Sequence, residues 1–158
     1  WLVQQPQLQC FACDASAEAL QVLQQQYPQL PHERVAHTTL ENLPYPSHYF
    51  HHIICSAVLH FAHNEAHFFA MMDQLCRVLL PGGSLFIRMA AIMGIENKVV
   101  PLGNGRYHLP DETDRFLLTP PLLQAITTQM PLQLVAPLKT TNVADLRCMS
   151  TLVYLKDA

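Results

Sequence analysis

Glycine is scarce. The chain holds five, at positions 82, 83, 94, 103 and 105, with none in the first 81 residues. A Gly-rich ligand loop is therefore excluded from the amino-terminal half. Charge is sparse as well: 13% of residues are charged, with nine basic against twelve acidic side chains and a net charge of -3 when His is neutral. No basic stripe exists, so binding to nucleic acid through phosphate neutralisation is excluded as a first reading. The apolar runs stop well short of the ~20 residues that a membrane helix needs, which argues against a membrane partner. Trp1-Leu2-Val3 has no basic flank and runs straight into Gln4-Gln5-Pro6, unlike a signal peptide. Cysteine is too thin, and its count of five too odd, for a disulfide scaffold. Cys10, Cys13, Cys55, Cys76 and Cys148 read instead as buried free thiols in a reducing cytoplasm.

What is present is core material. Half of the 158 residues are apolar, which suits one domain, residues 1–158, with a real interior. Short β-rich runs alternate with amphipathic helices, the pattern of an α/β sheet. Leu8 to Cys13 reads as a first strand ending at Asp14, with Ser16 capping a helix that runs to about Tyr27. Arg34 to Thr38 reads as a second strand and His51 to Ser56 as a third. Asn64 is placed to cap a helix bearing Phe68, Met72, Leu75 and Leu79 on one face. Pro81-Gly82-Gly83 is expected to stop that helix before a fourth strand, Ser84 to Met89. Residues 91–118 look irregular, and so long a connection suggests a lid or substrate segment. Thr119-Pro120-Pro121 opens a further helix, and Leu132–Val135 with Met149–Leu155 reads as an antiparallel pair. The carboxyl ends of successive strands then fall at Asp14, Thr39–Glu41, Cys55–Ala57 and Arg88–Ala90, where open α/β sheets bind ligands.

The stretch from Leu43 to Arg88 sharpens this picture. It runs Leu43-Pro44-Tyr45-Pro46, a buried strand, Ser56-Ala57-Val58-Leu59-His60, a helix, and then Arg77-Val78-Leu79-Leu80-Pro81-Gly82-Gly83 into another strand. In that order and spacing it resembles the class I S-adenosylmethionine-dependent methyltransferases of the small-molecule type. The resemblance implies a Rossmann-like doubly wound sheet, mostly parallel with an antiparallel carboxy-terminal strand. It implies S-adenosylmethionine as cofactor, S-adenosylhomocysteine as product and a small-molecule acceptor. It also implies that Asp14, with Ala15 beside it, holds the cofactor ribose. Thr39, Leu40 and Glu41 then stand at the adenine, and Cys55 and Ser56 line the methionine end. The family's first strand and Gly-rich loop would precede Trp1, with Trp1-Leu2-Val3 as the last turn of the helix after that loop. Gly103-Asn104-Gly105 lacks the strand and helix context to replace it. On this reading the chain is amino-terminally incomplete and binds cofactor poorly by itself.

Each candidate has a plainer alternative. Asp14 could simply cap the following helix, although Ser16 can do that alone. Cys55, Ser56 and Ala57 would be chosen for a tight packing corner as well as for close ligand approach. His60 is a candidate general base beside the methyl position, or a structural hydrogen-bonded His. His60, His63 and His67 would share a face only in a continuous helix, and Asn64 as a cap breaks it, so no metal site is expected. Cys10 and Cys13 are three apart in a strand and point to opposite faces. Arg88 ends a very apolar strand, where a charge needs a partner. With Arg106, Tyr107, His108 and Arg115 it could receive an anionic substrate group, or it could pair with Asp111, Glu112 or Asp114. Two other function classes compete with the enzyme: a non-catalytic binding or scaffold protein of the same fold, and a His/Cys metal-binding protein.

Overall fold

In a computed structural model, residues 2–158 are described. Trp1, the first residue of the expected Trp1-Leu2-Val3 turn, lies outside the described residues, and Leu2–Gln4 forms one 3-10 turn. The chain divides into two units, Trp1–Tyr45 and Pro46–Ala158.

The first unit is a β-α-β element. β1 (Ala12–Asp14) and β2 (Val35–His37) pair in parallel, from Ala12 opposite Val35 to Asp14 opposite His37. α1 (Ala17–Gln26) connects them, as parallel pairing requires a crossover. Its N-cap is Ser16, whose hydroxyl accepts from the Ala19 amide at 3.2 Å. The first strand is shorter than the Leu8–Cys13 run suggests. Pro31 and the 3-10 turn His32–Arg34 delay β2 to Val35, so the residues before Ala12 find no ladder partner there. Cys13 is exposed and Cys10 only half-buried, which corrects the reading of all five thiols as buried. The pair offers just three residues per strand, too few to cover both faces.

In the second unit the sheet runs β3 (Phe50–Ser56), β4 (Leu79–Ala91), β10 (Arg147–Lys156), β8 (Leu132–Leu134), with β9 (Lys139–Val143) also on β10. β3 and β4 are parallel, with Ser56 opposite Arg88, and β10 is antiparallel to β4 from Cys148 to Leu155. The sheet is mixed, as an α/β fold with a returning last strand must be. α2 (Glu65–Val78) crosses from β3 to β4, capped by the Asn64 side chain accepting from the His67 amide at 2.8 Å. Phe68, Met72 and Leu75 are buried along it, as the spacing predicts, whereas Leu79, expected on the same helix face, is buried as the first residue of β4. Across β4, Leu85, Ile87 and Met89 are at most 1% exposed while Ser84, Phe86 and Arg88 alternate half-buried, the period of a strand.

Three local expectations change. Pro81-Gly82-Gly83 does not stop α2. The helix ends at Val78, and β4 takes in all three residues. A side chain at Gly83 would stand 2.8 Å from the Leu80 carbonyl and 2.9 Å from that of His51, so glycine here permits close backbone approach at the shift of register between β3 and β4. Second, residues 91–118 are not irregular: they carry an antiparallel meander of β5 (Val100–Gly103), β6 (Arg106–His108) and β7 (Asp114–Phe116). Gly103-Asn104-Gly105 does follow a strand and is the β5–β6 turn, all three at positive φ, the geometry of a tight hairpin. Third, β9 has no counterpart in the sequence reading, because Lys139–Val143 is too polar to resemble a half-buried strand. α3 (Pro120–Gln129) follows with Thr119 accepting from the Leu122 amide.

Candidate functional site

Two clusters of strand ends hold the candidate residues, one in each unit. In the first, β1 and β2 finish side by side. The Thr38 amide donates to the Asp14 carbonyl at 3.0 Å, and Asp14 Oδ1 accepts from the Ser16 amide at 2.8 Å. Asp14 Oδ2 has no protein donor among the described residues. His37 Nε2–H donates to the Ala15 carbonyl at 2.9 Å, tying the turn after β1 to the end of β2. Thr39, Leu40 and Glu41 follow on the 3-10 turn Leu40–Asn42, which the Thr38 hydroxyl closes by donating to the Asn42 carbonyl at 2.8 Å. Asp14, Ala15 and the 39–41 turn are therefore brought to one end of the parallel pair. Sequence reasoning passed over His37, although its place at the end of the second strand was a usable signal.

In the second unit, β3 and β4 end together. Ala57 leaves the strand at φ 61, and its amide donates to the Arg88 carbonyl at 2.8 Å. Left-handed backbone is uncommon for a residue with a Cβ and concentrates at functional turns. Cys55 is buried and Ser56 exposed just before it. Beyond these ends lies a cleft of about 240 Å³ whose lining includes Ala57, His60, Arg88, Asp111, Arg115 and Arg147.

His60 is 7% exposed, and its Nδ1 accepts the Ala90 amide at 3.3 Å. The neutral ring must then carry its proton on Nε2. Burial, reinforced by the positive charges of Arg115, Arg147 and Arg88, pushes its pKa down to about 4. A ring so depressed, with Nδ1 already engaged, offers the cleft a donor. Arg147 pairs with Asp111 at 3.3 Å. Burial alone would raise the Asp111 carboxyl, but the Thr113 hydroxyl and amide together with Arg147 outweigh it and hold the carboxyl below its usual value. Arg115 lies over the Phe61 ring at 4.9 Å and donates to the Asp114 carbonyl at 2.9 Å.

Arg106, Tyr107 and His108 stand elsewhere. Arg106 donates to the Ala62 carbonyl at 3.1 Å. Tyr107 borders a smaller cavity of about 160 Å³ with Gly105, Phe116 and Leu122. His108 bonds Asp114 at 2.7 Å and pairs with Glu112 at 3.4 Å; the Asp114 hydrogen bond above all raises its pKa. The acids weighed as partners for Arg88 are thus engaged by Arg147 and His108. Arg147 is the cleft residue that sequence reasoning passed over, and nothing around it in the sequence signals a site. Among the described residues, no group of three or more His, Cys, Asp or Glu is arranged to hold a metal, and His63 stacks on His67 at 4.7 Å. No helix among them is long and apolar enough to cross a membrane.

A family model described as a methyltransferase domain matches residues 1–87. The chain belongs to this family. A search of curated proteins finds no match. Solved structures similar to this methyltransferase domain include a SAM-dependent methyltransferase from Methanosarcina mazei, 14% identical at a TM-score of 0.73, with 92% of this chain and 80% of that one covered. The N-methyltransferase NodS from Bradyrhizobium japonicum, in complex with S-adenosylhomocysteine, is 16% identical at 0.67, covering 92% and 65%. The 1,6-didemethyltoxoflavin-N1-methyltransferase of Burkholderia thailandensis, bound to 1,6-didemethyltoxoflavin and S-adenosylhomocysteine, is 14% identical at 0.67, covering 95% and 62%. At such identities these likenesses establish a shared fold, that of the class I methyltransferases. The matched segment of the methyltransferase domain contains the strand ends at Asp14, His37 and Ser56 and stops one residue before Arg88.

Proposed function

We propose that the protein moves a methyl group from S-adenosylmethionine to a small-molecule acceptor and releases S-adenosylhomocysteine. The observation that carries this reading is the Asp14 carboxylate, exposed at the end of β1 inside the matched segment, with one oxygen anchored on Ser16 and the other open. A carboxylate accepts hydrogen bonds through both oxygens, so it suits the adjacent hydroxyls of a ribose. Asp14 with Ala15 would hold the ribose. Thr39, Leu40 and Glu41 would meet the adenine, and Cys55 and Ser56 would line the methionine end. S-adenosylhomocysteine in two structural neighbours supports this cofactor, and 1,6-didemethyltoxoflavin in one of them supports a small acceptor. The buried cysteines Cys55, Cys76 and Cys148, which form no disulfide, suit a reducing, cytoplasmic setting.

When bound, S-adenosylmethionine supplies an electrophilic methyl carbon on a cationic sulfonium. The chain's own part is alignment, which in well-oriented cases lowers a barrier by up to roughly 7–11 kcal/mol. In this arrangement His60 presents Nε2–H to the acceptor and orients it, rather than taking its proton. Residues 91–118 serve as the substrate-side cover, a reading supported by Leu109, Asp111, Thr113 and Arg115 in the cleft wall. Titration of the full-length protein, any residues before Trp1 included, with S-adenosylhomocysteine tests the assignment. Asp14→Asn is expected to weaken binding by about ten- to hundredfold, since a hydrogen bond to a charged group contributes ~1.5–3 kcal/mol. Unchanged affinity would overturn it.

A further inference from the structure

We infer, building on the methyltransferase reading, that the cleft at the ends of β3 and β4 is an oxyanion site: the acceptor carries a carboxylate or phosphate received by Arg88, Arg115 and Arg147, with His60 as a further donor.

Three guanidinium groups line this one cleft of about 240 Å³, and a guanidinium stays charged in any protein environment. A single carboxylate, Asp111, shares the lining. It is already engaged by Arg147 and Thr113, which leaves two positive charges facing a half-buried space. Gathering like charges away from water is costly unless something of opposite sign compensates them. The neighbouring acids do not supply it, because Glu112 and Asp114 are paired with His108. Arg88 is the sharpest case: it projects from the apolar strand β4, and its side chain makes no hydrogen bond or ion pair among the described residues. Arg115 makes one bond, to a carbonyl, and rests one face on Phe61, which leaves in-plane donors for a ligand. His60 completes the set: Nδ1 holds the Ala90 amide, so the proton on Nε2 is the one the ring can direct into the cleft.

The arrangement suits an oxyanion by geometry as well as charge. Guanidinium forks match the paired oxygens of carboxylates and phosphates. An anion held at the ends of β3 and β4 would also place the rest of the acceptor at Ser56 and Ala57, where β3 ends.

Calorimetric titration of the protein with benzoate, phenyl phosphate and the neutral isostere benzamide tests this. At least one anion should bind saturably, with benzamide at least about tenfold weaker, and Arg88→Met and Arg115→Met should each weaken the anion by about tenfold or more. Tighter benzoate assigns a carboxylate acceptor, and tighter phenyl phosphate a phosphorylated one. No saturable binding of either anion, benzamide binding as well as benzoate, or anion affinity untouched by both arginine substitutions in variants whose melting is normal would overturn the site. The wild-type comparison of benzoate with benzamide holds even where a variant fails to fold. The titration omits cofactor, so failure of the full-length protein, any residues before Trp1 included, to bind S-adenosylhomocysteine with anion binding intact would remove the methyl-transfer reading and leave the anion site standing. The converse result would do the reverse.

Discussion

The two units hold their chemistry on scaffolds of very different depth. Among the described residues up to Tyr45, only Leu20, Leu30 and Leu43 are buried hydrophobics, and the strands are three residues long. From Pro46 onward, β4 and β10 pair over eight residues, and Phe68, Leu79, Leu85 and Tyr154 are completely buried. The shallow unit presents an exposed carboxylate that the Ser16 amide holds in place. The deep unit presents guanidinium groups and a buried imidazole. A solvated acid can be positioned by a backbone bond, whereas holding an imidazole neutral requires walls that keep water from it, as around His60.

Truncating each core is the strongest way to break that comparison. Phe68 is fully buried and stacks on Phe116 at 5.3 Å, so Phe68→Ala should cost ~3–5 kcal/mol in denaturant unfolding, and Leu20→Ala about 2 kcal/mol. Equal costs would mean that the first unit is as deeply supported as the second.

Acid is the next lever, and it should act on the deep unit through His60. The unfolded ring titrates near 6.5 and the folded one near 4. Between those values the unfolded chain binds more protons, so this contribution is intact above pH 6.5 and is lost as pH falls toward 4. The loss amounts to about 3 kcal/mol. Urea midpoints at pH 7 and pH 4.5 should therefore diverge more in the wild type than in His60→Asn. The same acid sensitivity in both proteins would show that His60 is not held neutral.

The smallest expected effect sharpens the place of the meander within the deep unit. A Cβ on Gly105 would stand 2.5 Å from Phe116 Cε2, at φ +76. Gly105→Ala should thus cost ~1–3 kcal/mol, from backbone strain and a displaced ring. The equivalent change at Gly103, where φ is +89 but no atom lies within 4 Å, should cost less. Thermal melts of both variants decide it.

Most helices were legible because their signals are local. Ser16, Asn64 and Thr119 each cap a helix at the expected residue, since a cap needs a donor only two or three positions away. Asp14 was legible for the same reason: strand, acid, cap and helix follow one another within a few residues. Local signals failed where partners lay far along the chain. Pro81-Gly82-Gly83 reads as a stop, yet it lies inside β4, in the shift of register between the Phe50–Leu79 and His52–Ser84 pairs with β3. Residues 91–118 hide three short strands because each is defined by its neighbour and not by its own alternation. Cys13 reads as buried until the pair it belongs to proves too short to cover it.

The sequence alone therefore determined the strand–helix alternation up to β4, the helix starts and the acid at the end of β1, all set by contacts within a turn or two. Only the tertiary structure decided which charges meet. Arg88, Arg115 and Arg147 lie tens of residues apart, and β4, β7 and β10 bring them to one cleft, while Arg106 and His108, close to Arg115 in the chain, are engaged by a carbonyl and by Asp114 and Glu112. The physical reason is that a cap is satisfied by its own backbone, whereas a charged side chain's partner is set by the register between distant segments.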